Sequence, residues 1–193
     1  MTATIVTSTP TLEQFLKLPE TKPASEYIEG EIVQKPMPKG KHSLLQLKMC
    51  NCINDCINER VELPQIAYAL PELRCSFGNR SVVPDVAVFR WSRIPFDADG
   101  EMPNDFLLFP DWTIEILSPE QSSSRVIDNI SYCLEYGCDL GWLLDPSDRS
   151  ILVFQSQQQP KVFVGSDRLP ILEEIDLVLT VEQVFSWLKM GKK

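Results

Sequence analysis

The chain is short of positive charge. Its 193 residues carry 18 lysines and arginines against 27 aspartates and glutamates, a formal net charge of -9. A protein that grips duplex DNA mainly by neutralising phosphates shows a basic excess, because counterion release supplies much of its affinity. This composition excludes that mode over the surface as a whole and leaves only local basic patches, of which Lys35, Lys39 and Lys41 with adjacent His42 form one. His42 is the only histidine, and Ser118 and the serines at 122 to 124 are expected to lack a histidine partner, so a serine-hydrolase triad is disfavoured. Eight scattered glycines build no phosphate-cradling loop, which disfavours nucleoside-triphosphate hydrolysis. The six cysteines include no CxxC pair. Cys52 and Cys56 share a helical face but nothing near them completes a zinc site, so all six are expected to be free thiols, mostly in the core. There is no apolar run of about eighteen residues, and MTATIVTSTP lacks the basic start and long apolar stretch of a secretory signal. A soluble, cytoplasmic protein without a membrane partner is expected.

What is present suits one domain over residues 1–193, with 44% hydrophobic residues to fill its core. Thr11 and Gln14 can form a capping box ahead of a short helix. SEYIEGEIVQKP reads as two strands about a turn at Glu29-Gly30. From His42 to about Val61, Leu45, Met49, Cys52, Ile53 and Cys56 recur at helical spacing. Apolar runs at Ile66–Leu70, Leu73–Phe77 and Val82–Arg90 predict strands, the last two joined at Gly78-Asn79. A strand over Trp112–Ser118 precedes a helix from about Ser124 to Tyr136, closed by Gly137. Strands at LGWLLD, SILVFQ and KVFVG follow, then a helix capped by Thr180 and Gln183. This order predicts an α/β fold with a mixed β-sheet flanked by helices.

Two acids stand out because they interrupt apolar strands: Asp85 in SVVPDVAVFR and Glu115 in TIEILSPE. A buried carboxylate needs a partner, a metal or a raised pKa to offset its desolvation. If the two strands are neighbours, the carboxylates repel unless a cation lies between them. A hard ion such as Mg²⁺ would take both, with waters and the carbonyl of Ile116, and could polarise a phosphodiester and activate water. The alternative is that each acid pairs separately with an arginine or caps backbone.

The ordered segments EYIEGEIVQKPMP, KHSLLQL, VVPDVAVFR, WTIEILSP, a helix ending in EYGC, and LGWLLDP resemble the Uma-type endonuclease family over about Thr11 to Leu188. That bacterial family belongs to the restriction-endonuclease-like PD-(D/E)XK superfamily. The resemblance implies a restriction-endonuclease-like fold and DNA as substrate. It matches the family's acids to Glu31, Asp85 and Glu115, of which Asp85 and Glu115 would ligate Mg²⁺ (or Mn²⁺), and its histidine to His42. It also implies a lysine two residues beyond the second acid, or on the following helix. Here those positions hold Leu117 and Asn129. Lys41, Arg125 and Lys39 are the candidate substitutes, in that order, with His42, Lys39 and Arg125 as candidate phosphate contacts. Two readings remain: a Mg²⁺-dependent endonuclease, working as a homodimer that cuts both strands, or a catalytically degenerate nuclease fold that binds nucleic acid or protein.

Overall fold

The computed structural model describes residues 9–58, 65–119 and 121–191. Helix α1 (Leu12–Leu16) starts at the expected capping box, in which Gln14 N–H donates to Thr11 Oγ1 and Thr11 N–H to Gln14 Oε1. Strands β1 (Ser25–Ile28) and β2 (Glu31–Gln34) form the expected hairpin, with Glu29 and Gly30 at φ 50° and 97° in its turn. Helix α2 runs Gly40–Asn58; its expected end near Val61 lies outside the described residues. Then come β3 (Ala67–Pro71), β4 (Cys75–Phe77), β5 (Arg80–Val82) and β6 (Val86–Arg90), followed by β7 (Trp112–Ile116), α3 (Ser123–Glu135), β8 (Leu140–Asp145), β9 (Ser150–Gln155), β10 (Lys161–Val164) and α4 (Val181–Ser186).

The stretch Val82–Arg90 departs from expectation. It is two strands in two different sheets, because Pro84 has no N–H to continue a ladder. The hairpin at Gly78-Asn79 therefore joins β4 to β5 alone. Gly78 is required there: its φ is 55°, and an added Cβ would lie 2.1 Å from the Tyr136 hydroxyl. A four-stranded sheet, β2-β1-β5-β4, is antiparallel throughout, while a six-stranded sheet, β10-β9-β8-β7-β6-β3, is mixed through its one parallel pair, β7 with β8. Parallel neighbours need a crossover, and α3 supplies it.

Alternation along β7 divides the core. Trp112, Ile114 and Ile116 join Leu45, Met49 and Ile53 of α2 and Phe185 of α4 in one apolar cluster, where the Trp112 and Trp142 rings meet edge to face at 4.6 Å. Thr113, Glu115 and Leu117 take the opposite face, where Leu117 packs with Val126 and Ile130 of α3. Partly buried salt bridges brace the frame: the buried Asp111 carboxylate takes Arg90 and Arg93 at 2.5 and 2.8 Å beside the β6–β7 pairing.

Two expectations test this packing. Gly141 of β8 touches α3 so closely that a Cβ would lie 2.3 Å from Ile130 Cγ2. Gly141→Ala should therefore cost about 1–3 kcal/mol by overpacking, read as a lower melting temperature; an unchanged melt would contradict the close approach. All six cysteines are free thiols, and only Cys52 and Cys56 are not buried. Burial pushes Cys50 up to about 11 and Cys138 up to about 12, so at pH 8 their reactive thiolates are depleted by about a hundredfold and a thousandfold. A disulfide exchange reagent should titrate no more than two thiols rapidly in the native protein and all six after denaturation.

Candidate active site

The break at Pro84 builds the site. Val83 lies beyond the end of β5, so its peptide groups need other partners. Its N–H donates to Glu26 Oε1 at 2.9 Å, and its carbonyl accepts from Lys35 Nζ at 2.6 Å. Asp85 then sits at the bend where the chain passes from one sheet to the other, not within a strand as the sequence suggested. The antiparallel register that sets Val86 opposite Ile114 brings Asp85 beside Glu115. Asp85 Oδ2 accepts the Ile116 N–H at 2.7 Å, while its carbonyl accepts from Gln46 Nε2 at 2.8 Å.

One ammonium joins the two acids. Lys35, the residue after β2, aligns its backbone through an N–H donated to Ala24 and points Nζ at three acceptors: the Val83 carbonyl, Asp85 Oδ1 at 2.8 Å and Glu115 Oε2 at 3.4 Å. Those two distances bound the separation of the carboxylate oxygens well inside the roughly 8 Å beyond which a shared ion is implausible. His42, in the first turn of α2, sets Nε2 3.3 Å from Asp85 Oδ1 and Nδ1 3.4 Å from Ser118 Oγ. A third acid, Glu26 of β1, is 4% exposed and accepts from Asn129 Nδ2 at 3.1 Å.

The charges are unbalanced. Burial works against ionised Asp85, yet Lys35 and the hydrogen bond from His42 hold its carboxyl far below the ordinary aspartate range. Burial likewise opposes the Lys35 ammonium, but Asp85, Glu115 and Glu26 hold its pKa well above the ordinary lysine value. Glu115 is left over: burial, with Asp85 and Glu26 nearby, pushes its pKa well up despite Lys35. Asp111 shows the contrast, since two guanidiniums serve one carboxylate there. Of the alternative read from the sequence, pairing of each acid with an arginine does not describe this geometry, whereas capping of backbone holds for Asp85, which takes the Ile116 N–H.

The other sequence-derived residues separate. Glu31 is exposed on β2 and faces a recess shared with Arg125 and Asp128, apart from the cleft that Lys35, His42 and Asp85 line. Lys39, Lys41 and Arg125 are exposed, and neither Lys39 nor Lys41 lines that cleft. Leu117 packs beneath α3. Sequence reasoning placed Lys35 only within a basic loop and missed Glu26. Their signals were weak: an acid inside the four-residue strand SEYI, and a lysine fixed between the end of β2 and Pro36.

Among the described residues no three His, Cys, Asp or Glu side chains form a ready-made metal cluster. The donor set still fits Mg²⁺, which takes one or two carboxylates and completes its shell with waters and substrate oxygens. Asp85 and Glu115 already converge on a cation and lack positive charge.

Comparison with known proteins agrees with this architecture. Residues 12–182 match the Uma2 family model, described as "Putative restriction endonuclease". A crystal structure of a putative nuclease belonging to DUF820 from Anabaena variabilis is 50% identical, with a TM-score of 0.88 over 93% of this chain and 99% of that one. No curated protein matches. With nearly its whole length matched in both sequence and fold, the chain belongs to the Uma2 family of restriction-endonuclease-like proteins.

Proposed function

We propose that the protein is a metal-dependent endonuclease that hydrolyses DNA phosphodiester bonds at the Asp85–Glu115 pair. The observation that carries this reading is two buried carboxylates sharing one ammonium, with Asp85 and that ammonium lining a cleft and too little positive charge for both acids. Asp85 and Glu115 would hold Mg²⁺ or Mn²⁺, which when bound supplies charge to the scissile phosphate and acidity to a water. Asp85 is fixed for this by the Ile116 N–H and by His42. Lys35, from the segment after β2, would take the part of the superfamily's cation, its ammonium stabilising negative charge on the attacking water or the phosphate. Water oxygen forms the new bond to phosphorus as the bond to the departing sugar oxygen breaks. We take the working form to be a cytoplasmic homodimer, in which two-fold symmetry sets two copies of the site in one particle. Among the described residues no helix is long and apolar enough to cross a membrane.

Purified protein with Mg²⁺ or Mn²⁺ should cut mixed DNA substrates, and chelation should stop it. Asp85→Asn and Glu115→Gln should each lower the rate by at least about a hundredfold, and Lys35→Met by about a hundredfold, ~3 kcal/mol of transition-state stabilisation. Cleavage that survives both acid substitutions would refute the site. Failure of the unmodified protein to cut any substrate would favour a binding module, the reading to which the net charge of -9 lends support. Calorimetry gives a second readout. Lys35→Met should bind Mn²⁺ more tightly than the unmodified protein, since a competing cation is gone, and Asp85→Asn more weakly; equal affinities would mean that the pair holds no metal.

A further inference from the structure

The acids are deep. Asp85 and Glu115 are 2% and 3% exposed, and the cleft over Lys35, His42 and Asp85 has a volume of about 440 Å³. Pockets at the lower end of the range that proteins use for small ligands, roughly 300–1,000 Å³, accommodate about one nucleotide. The rim does not favour a duplex backbone either. Glu20 and Glu72 line it together with Lys22, and Glu20 is paired with Arg74 at 2.7 Å, so the rim offers no excess of positive charge to the phosphates of a continuous double helix.

One wall of the cleft is apolar and stiff. Lys35 is followed by Pro36, Met37 and Pro38, all three lining the cleft. Proline fixes φ at two of these positions and restricts the residue before it, so both Lys35 and Met37 are biased towards extended backbone. Met37 is 67% exposed on this support, two residues from the ammonium that contacts both acids. Flexible, polarisable methionine and rigid proline are side chains that proteins insert between stacked bases.

We propose, resting on the nuclease reading above, that the substrate is a nucleotide out of its stack, in a single strand, bulge or mismatch, and that Met37 is the wedge that holds it unstacked. The depth of the acids requires the phosphodiester to enter the cleft. An unpaired nucleotide enters at little cost, whereas extrusion from paired DNA costs a few kcal/mol. With a net charge of -9, the protein has little phosphate affinity to offset that cost.

The test uses oligonucleotides carrying 2-aminopurine, whose fluorescence rises on unstacking, as a single strand, a perfect duplex and the same duplex with one unpaired 2-aminopurine. With Mg²⁺, cleavage beside the unpaired nucleotide should exceed cleavage of the perfect duplex by at least about tenfold. With Ca²⁺ in place of Mg²⁺, binding should raise the fluorescence of the bulged duplex. Met37→Ala should lose that rise and reduce bulge cleavage by about tenfold or more, and Met37→Leu should restore both. Equal cleavage of paired and unpaired substrates, or a fluorescence rise that Met37→Ala leaves intact, would overturn the proposal while leaving the nuclease reading standing. A Met37-dependent rise without cleavage of any substrate would sustain the wedge and defeat the nuclease reading. Absence of binding to all three oligonucleotides would overturn the wedge.

Discussion

The structure turns on the interruption of one strand. Pro84 ends the β5 ladder and directs the chain from the small sheet into the large one, leaving Val83 with peptide groups that no strand satisfies. Unpaired buried peptide groups cost about 1–3 kcal/mol each, so partners are obligatory. Both come from the β1–β2 hairpin: Glu26 takes the N–H and Lys35 gives to the carbonyl. The same connection leaves Asp85 at the bend, within reach of the Lys35 ammonium. Backbone satisfaction and assembly of the charged site are therefore one event.

The hairpin's position accordingly matters as much as the acids themselves. Arg80, nearly buried on β5, donates to Glu29 in the hairpin turn and to Asp128 on α3, each at 2.6 Å, with its guanidinium 4.3 Å from the Tyr132 ring. This clamp ties hairpin, sheet and helix at one edge, and the Ala24–Lys35 backbone bond carries the alignment to the other end of the hairpin. The Arg80 guanidinium is buried while both carboxylates reach solvent, so the clamp acts by fixing the relative placement of hairpin, sheet and helix more than by strong attraction.

Local features were legible in the sequence and long-range ones were not. Capping boxes at Thr11 and Thr180, the Glu29-Gly30 turn and the alternation of β7 depend on residues a few positions apart, and each has the form its spacing predicts. Asp85 and Glu115 announced themselves as acids in apolar surroundings. The cation did not, because Lys35 meets Asp85 across fifty residues and Glu115 across eighty, and nothing in the spacing of a basic loop tells which lysine turns inward. Glu31 drew attention by family likeness, yet the pleat sends Glu26 into the interior while Glu31 stays exposed. Pro84 was visible, but its consequence, two sheets instead of one long strand, required knowing where β5 and β6 each find partners.

Position 129 carries an amide rather than an ammonium. The family resemblance calls for a lysine on α3, and the protein has buried Asn129, which donates to Glu26 instead. A neutral amide there satisfies the carboxylate without adding charge, and among the described residues Lys35 is the one ammonium within ion-pair distance of both Asp85 and Glu115. Leu117 completes the exchange, since the position two residues beyond Glu115 feeds the apolar contact with Val126 and Ile130. Substituting lysine at 117 would put a charge into that contact, while keeping leucine secures α3 over β7. An ammonium that neither β7 nor α3 carries at these positions thus reaches both acids from the segment after β2, through the same Lys35 that the broken strand needs as a donor at Val83.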